Sequence, residues 1–91
     1  MLKRIHVTIS GKIQGIFFRS FVKENASQLN LKGYVKNLPS GEVEAVFEGQ
    51  KECIDKIITI CKKGHKLASV DNINIKEERP TKDLKDFTII K

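Results

Sequence analysis

Histidine and cysteine, which build most metal centres and nucleophilic sites, are scarce here, with two of each in 91 residues. Cys53 and Cys61 fall on one predicted helix, where a rise of about 1.5 Å per residue separates them by roughly 12 Å, beyond the reach of a disulfide. No zinc-ligand spacing surrounds them, so both read as small buried hydrophobes. Tryptophan is absent, proline occurs twice, and no repeat or low-complexity segment appears. No apolar run is long enough to cross a membrane. The start, Met1-Leu2-Lys3-Arg4-Ile5-His6, lacks the apolar core of a secretory signal. The length allows one small domain, residues 1–91, with a shallow site and no large enclosed cavity. A cytoplasmic monomer without a membrane partner is the expectation.

What is present is positive charge, +6 in all. Residues 1–40 hold Lys3, Arg4, Lys12, Arg19, Lys23, Lys32 and Lys36 against Glu24 alone. Residues 41–91 hold ten charges of each sign and sum to zero. The excess therefore lies in the segment that also carries the sequence Gly11-Lys12-Ile13-Gln14-Gly15-Ile16-Phe17-Phe18-Arg19. This stretch joins a strand pattern to a helix pattern. A Gly-rich turn at a helix N-terminus aims several backbone N–H groups at one point, which suits an anion. Arg19 adds a planar cationic fork able to engage two oxygens at once. Strand-to-helix turns also carry glycine for geometry alone, and from this stretch by itself both readings stand. A P-loop is excluded, because no Lys-Ser or Lys-Thr follows Gly15. A dinucleotide fingerprint is excluded for want of a third glycine.

Alternation of Ile5, Val7 and Ile9 with Arg4, His6 and Thr8 predicts a half-buried strand. Phe18, Phe21, Val22, Ala26 and Leu29 recur at helical spacing, and Asn30 can end that helix. Gly33 to Leu38 reads as a short strand, Pro39-Ser40-Gly41 as a tight turn, and Val43, Ala45 and Phe47 as the inward positions of the next strand. On this pattern Glu42, Glu44 and Glu48 form a solvated face, and Gly49 breaks the strand. Ile54, Ile57, Ile58 and Cys61 give a second helix, with Lys62, Lys63 and Gly64 at its C-terminus. A strand over 68–78 follows, irregular because Val70 and Ile73 break alternation, and then a short strand from Phe87 to Ile90. The order predicts an α+β, ferredoxin-like βαββαβ sandwich, mostly antiparallel, with two helices on one face and an extra C-terminal strand.

Tyr34-Val35-Lys36-Asn37 precedes the turn. Asn37 can serve as a turn residue, or its carboxamide can hold a water by donating and accepting hydrogen bonds. Taken together, Gly11 through Arg19, Gly33 through Asn37, Gly41-Glu42-Val43-Glu44, Gly49 and the ending Phe87-Thr88-Ile89 closely resemble the acylphosphatase family over nearly the whole chain. The resemblance implies hydrolysis of the carboxyl–phosphate bond of acyl phosphates. It places Arg19 as the phosphate-binding arginine and Asn37 as the water-positioning asparagine. The backbone of Gly15, Ile16, Phe17 and Phe18 becomes the phosphate cradle. Tyr34 stands where a tryptophan is frequent, His65 where proline is common, and Leu38 where some members have a hydroxyl residue.

The chemistry implied needs little machinery. The leaving carboxylate has a conjugate acid of pKa about 4, so it departs without protonation. Phosphoryl transfer then rests on charge stabilisation and an in-line water. Neither motif contains a histidine, cysteine or carboxylate, and no metal or other cofactor is expected. The expected partners are a small-molecule acyl phosphate and, as product, inorganic phosphate. An RNA-recognition domain shares the element order, but it stacks bases on exposed strand aromatics. The third strand here is acidic with Phe47 alone, predicted inward, so no nucleic-acid partner is expected. A non-catalytic module binding a phosphorylated metabolite would use the same cradle and is less firmly excluded.

Overall fold

Strand alternation is realised first in β1 (Leu2–Lys12), where Ile5, Val7 and Ile9 are buried and their neighbours half-buried. The computed structural model describes residues 1–13, 16–65 and 68–90, with the backbone alone at Ile16. After β1 come α1 (Ile16–Gln28), β2 (Lys32–Asn37), β3 (Val43–Gln50), α2 (Lys51–Lys63), β4 (Ser69–Glu78) and β5 (Phe87–Ile90). The five strands form one sheet in the order β4-β1-β3-β2-β5. All neighbours are antiparallel except β2 and β5. Both helices cover one face. Phe18, Val22 and Ala26 from α1 and Ile54, Ile57 and Cys61 from α2 join Ile5, Val7, Val35, Ala45 and Phe47 in a single core.

Asn30 ends α1 as expected. It takes a left-handed φ of 57°. The Asn30 and Leu31 N–H groups donate to Ser27 O and Ala26 O, which satisfies carbonyls the helix would leave free. Leu31 then turns inward and lies over Gly49. A Cβ at Gly49 would stand 2.6 Å from Leu31 Cδ2. Gly49 therefore does not break β3. The strand continues through it to Gln50, and the glycine makes room for the helix exit. The irregularity expected in β4 appears as a register shift opposite Ser10 and Gly11 of β1. Gly11 has φ +138° there, and a Cβ would stand 2.1 Å from Ser69 O, so only glycine fits the bulge.

The face away from the helices differs from the solvated surface that the glutamate spacing predicts. Glu48 is only 3% exposed. Its carboxylate accepts from Arg4 Nη1 at 3.3 Å, from the Thr81 N–H at 3.1 Å and from the Lys82 N–H at 3.0 Å. The segment before β5 folds over this glutamate and is tied down by it. Glu44 is half-buried between His6 Nε2 at 2.8 Å and Lys36 Nζ at 3.3 Å. The His6 hydrogen bond, with Lys36 behind it, holds the Glu44 carboxyl below its usual pKa against the opposing effect of burial.

Replacing Glu48 with alanine would leave two backbone donors without their acceptor and take one of two carboxylates from the Arg4 guanidinium, which keeps Glu78. Glu48→Ala should destabilise the fold by about 3 kcal/mol in urea denaturation, with Glu48→Gln losing less. The Glu44 contribution has a definite sign. Its lowered pKa gives stability that is fully present above the unfolded carboxyl pKa of about 4.3 and is lost as pH falls through the lowered folded value. Acid unfolding of His6→Ala, followed by circular dichroism, should show a shallower loss of stability in that acidic window than the unmodified chain.

Candidate active site

The sheet topology gathers the predicted site residues at one end. β1 and β2 both run antiparallel to β3, and β5 runs parallel to β2. The C-terminal ends of β1, β2 and β5 therefore share an edge of the molecule. α1 begins at that edge, a few residues past β1. Gln14 and Gly15 lie outside the described residues. Ile16 opens α1, followed by Phe17 and Phe18. The first N–H groups of a helix have no intrahelical acceptor. No acidic side chain occupies the first turn, so the positive end of the helix dipole is left for another anion. Phe18 is fully buried and anchors this turn in the core, while Phe17 stays 37% exposed.

Arg19 is half-buried in this first stretch of α1. Its Nη1 donates to the Ile90 carbonyl at 3.3 Å. Its Nε is buried and has no hydrogen-bond partner among the described residues. A buried donor without an acceptor costs about 1–3 kcal/mol. An oxyanion at the helix N-terminus would relieve that cost.

Asn37 is the last residue of β2, exposed, and paired in register with Val43. The turn beyond it is closed by Leu38 N–H to Glu42 O at 2.8 Å and Gly41 N–H to Leu38 O at 3.0 Å. Lys36, just before Asn37, is the register partner of Ile90. The carbonyl that holds Arg19 thus belongs to the residue beside the Lys36-Asn37 step. Arg19 and Asn37, eighteen positions apart in sequence, thus lie at the same end of the β2–β5 pair.

Two features of the site were not legible as such. The Ile90 acceptor is a backbone carbonyl, which no side-chain pattern marks. His65, noted above only as standing where proline is common, lies beside the α1 N-terminus. Its ring meets Phe17 edge-on at 4.9 Å and Phe21 edge-on at 5.3 Å. The charge excess of the first forty residues is also thinner in space than in sequence, since Arg4 pairs with Glu48 and Glu78 and Lys36 with Glu44.

Other candidates fall away. Burial pushes the Cys61 thiol up to about 12, which leaves no thiolate at neutral pH. Among the described residues no three His, Cys, Asp or Glu side chains come together as a metal site. Phe47 is buried and stacks on Phe87, so β3 offers no platform for bases. A groove of about 370 Å³ bounded by Leu29, Asp55, Lys56, Thr59 and Ile60 lies at the far end of α1, away from Arg19. No helix among the described residues is long and apolar enough to cross a membrane.

Comparison with known proteins agrees with this geometry. The family model described as Acylphosphatase matches residues 5–89. An acylphosphatase of Syntrophus aciditrophicus is 41% identical over 90 residues, covering 99% of this chain and 94% of that protein. The crystal structure of acylphosphatase from Bacillus subtilis superposes with a TM-score of 0.92 at 31% identity, covering all of both chains. An acylphosphatase structure from Coxiella burnetii gives 0.90 at 40% identity over 98% of this chain and 93% of that one. With family, fold and full-length relatives in agreement, this chain belongs to the acylphosphatase family, hydrolases that act on acyl phosphates.

Proposed function

We propose that Arg19 and the backbone N–H groups from Gly15 to Phe18 bind the phosphoryl group of an acyl phosphate, and that Asn37 positions the attacking water. The observation that carries this reading is the buried, unpartnered Nε of Arg19 beside the opening turn of α1. The Ile90 carbonyl occupies one amino group of the fork and leaves Nε and the second amino group to face a ligand. Two donors on one planar edge match two oxygens of a phosphoryl group.

The reaction then follows from placement. The water oxygen forms a bond to phosphorus as the bond from phosphorus to the carboxyl oxygen breaks. The electron pair leaves with the carboxylate, and both protons of the water end on the released phosphate. Charge on the phosphoryl oxygens is met by Arg19 and the helix N-terminus, where preorganised donors are most effective. Asn37 is uncharged and acts by orientation, accepting from and donating to the water at the edge of β2. Every group in this scheme comes from one chain, so the reading calls on no residue of a partner subunit.

Phosphate release from acetyl phosphate, measured in excess chelator, tests the reading. Turnover should persist without added metal. Arg19→Lys should remain folded and lose roughly 10³–10⁵ in turnover, because an ammonium keeps the charge and loses the fork. Near-native turnover by the folded lysine variant would show that the bidentate grip is not used. Asn37→Ala should lower kcat by roughly 10²–10³ while inorganic phosphate still binds and inhibits. Collapse of phosphate binding with kcat intact would reverse the two roles.

A further inference from the structure

Strand alternation puts His6 of β1, Glu44 of β3 and Lys36 of β2 on the sheet face away from the helices, because Val7, Ala45 and Val35 beside them enter the core. Pairing brings the three together. Glu44 is the register partner of Thr8 in β1 and of Lys36 in β2. His6 reaches Glu44 on the diagonal, with Nε2 at 2.8 Å from Oε2, and Lys36 Nζ lies 3.3 Å from Oε1. Each carboxylate oxygen thus has its own partner. The lowered pKa keeps Glu44 ionised at neutral pH, so the carboxylate accepts and His6 carries a hydrogen on Nε2. One half-buried side chain of the middle strand therefore ties together the two strands that flank it.

This clamp lies one residue from Asn37. Asn37 pairs with Val43, and Val43 pairs with Ile9 of β1. Beyond that row the strands part. β1 runs on to Lys12 and then to the opening of α1, while β2 and β3 close through the 38–42 turn. Asn37 is exposed and last in β2, with only the turn beyond it. Its placement relative to the α1 N-terminus is set by how β2 and β1 lie on either side of β3. Two strand spacings of about 4.8 Å separate them, and twist between neighbours accumulates over both. A side-chain tie from β1 through Glu44 to β2 limits that variation at the row next to Asn37. Burial offsets part of the attraction in such a pair, so its larger use is to fix geometry.

We propose that Glu44, held by His6 and holding Lys36, is a positioning residue for hydrolysis, fixing the end of β2 so that the Asn37 carboxamide aligns the attacking water. The proposal rests on the role given above to Asn37. Glu44 touches neither the water nor the phosphoryl group and acts through Asn37 alone. The support of Arg19 is separate, since β5 is tied through the Gly33 N–H to Asp86 O and through Glu48 to Thr81 and Lys82. Loss of the clamp therefore slows the attack of water and leaves phosphate binding in place.

The test is kcat for acetyl phosphate and the inhibition constant of inorganic phosphate, measured on the unmodified chain, Glu44→Gln, Asn37→Ala and the double variant, with circular dichroism to check each fold. Glu44→Gln keeps the size of the side chain and removes its charge. It should lower kcat by about tenfold, below the roughly 10²-fold that a displacement of 1 Å can cost, and leave phosphate inhibition unchanged within about twofold. In the Asn37→Ala background the same change should cost less than about twofold, because the group it aims is gone. Lys36→Met breaks the clamp from the more exposed side and should lower kcat as Glu44→Gln does, while Lys36→Arg should restore most of it. His6→Gln, whose amide can donate to the same oxygen, should keep more of kcat than His6→Ala. A kcat within about twofold of the unmodified chain in folded Glu44→Gln or Lys36→Met overturns the clamp and leaves the role of Asn37 standing. So does a full tenfold loss on top of Asn37→Ala, or a loss of phosphate inhibition in step with kcat. An Asn37→Ala variant with undiminished kcat overturns both.

Discussion

In the role proposed for it, the guanidinium of Arg19 serves an incoming phosphoryl group only if it is aimed, and a long cationic side chain left free would sample many rotamers at a cost of about 2 kcal/mol to order. The Ile90 carbonyl supplies the aim. For that carbonyl to be in reach, β5 must lie parallel to β2 and in the register that sets Ile90 opposite Lys36. The Gly33 N–H donating to Asp86 O at 3.0 Å starts that pairing. Buried Glu48 ties Thr81 and Lys82 to the open face of the sheet and so fixes where the chain enters β5. A glutamate outside the proposed chemistry and a backbone carbonyl thus help decide where the Arg19 guanidinium points.

Much of this was legible in the sequence, and the exceptions have physical causes. The period-two pattern of β1 and β3 and the stripe of Phe18, Val22 and Ala26 report burial directly, so the elements and their faces follow from it. Asn30 and Gly64 mark helix ends because few other residues adopt positive φ there. Glu48 was misread because periodicity says which side of a strand a residue faces and nothing about which later segment folds across that side. Gly49 was misread for a related reason. Its missing Cβ serves Leu31, which arrives from another element, and does not end the strand. At the site, Arg19 and Asn37 stand out by residue type and motif. The acceptor that orients Arg19 is main chain, and the packing of His65 against two phenylalanines depends on the start of α1 lying beside the end of α2.

Charge followed a similar course. The excess of cations in the first forty residues suggests a broad positive field, yet Arg4 and Lys36 are matched across the sheet by glutamates from β3 and β4. The proposed pull on the substrate then comes mainly from one helix N-terminus and one arginine, which lie closest to the phosphoryl group. It acts over a few ångströms, where solvent screening is weakest.

The β2–β5 pairing also has a consequence in time. β5 is the last of the seven elements in chain order and joins a strand formed far upstream. Contacts between distant segments carry a loop-closure cost and tend to form late. A chain in which β5 has not yet docked can already hold both helices and the three central strands β1, β3 and β2, but its arginine has no rear support. If Arg19 has the role proposed for it, a molecule with β5 undocked lacks the Ile90 carbonyl behind the guanidinium and is silent toward its substrate until that strand closes.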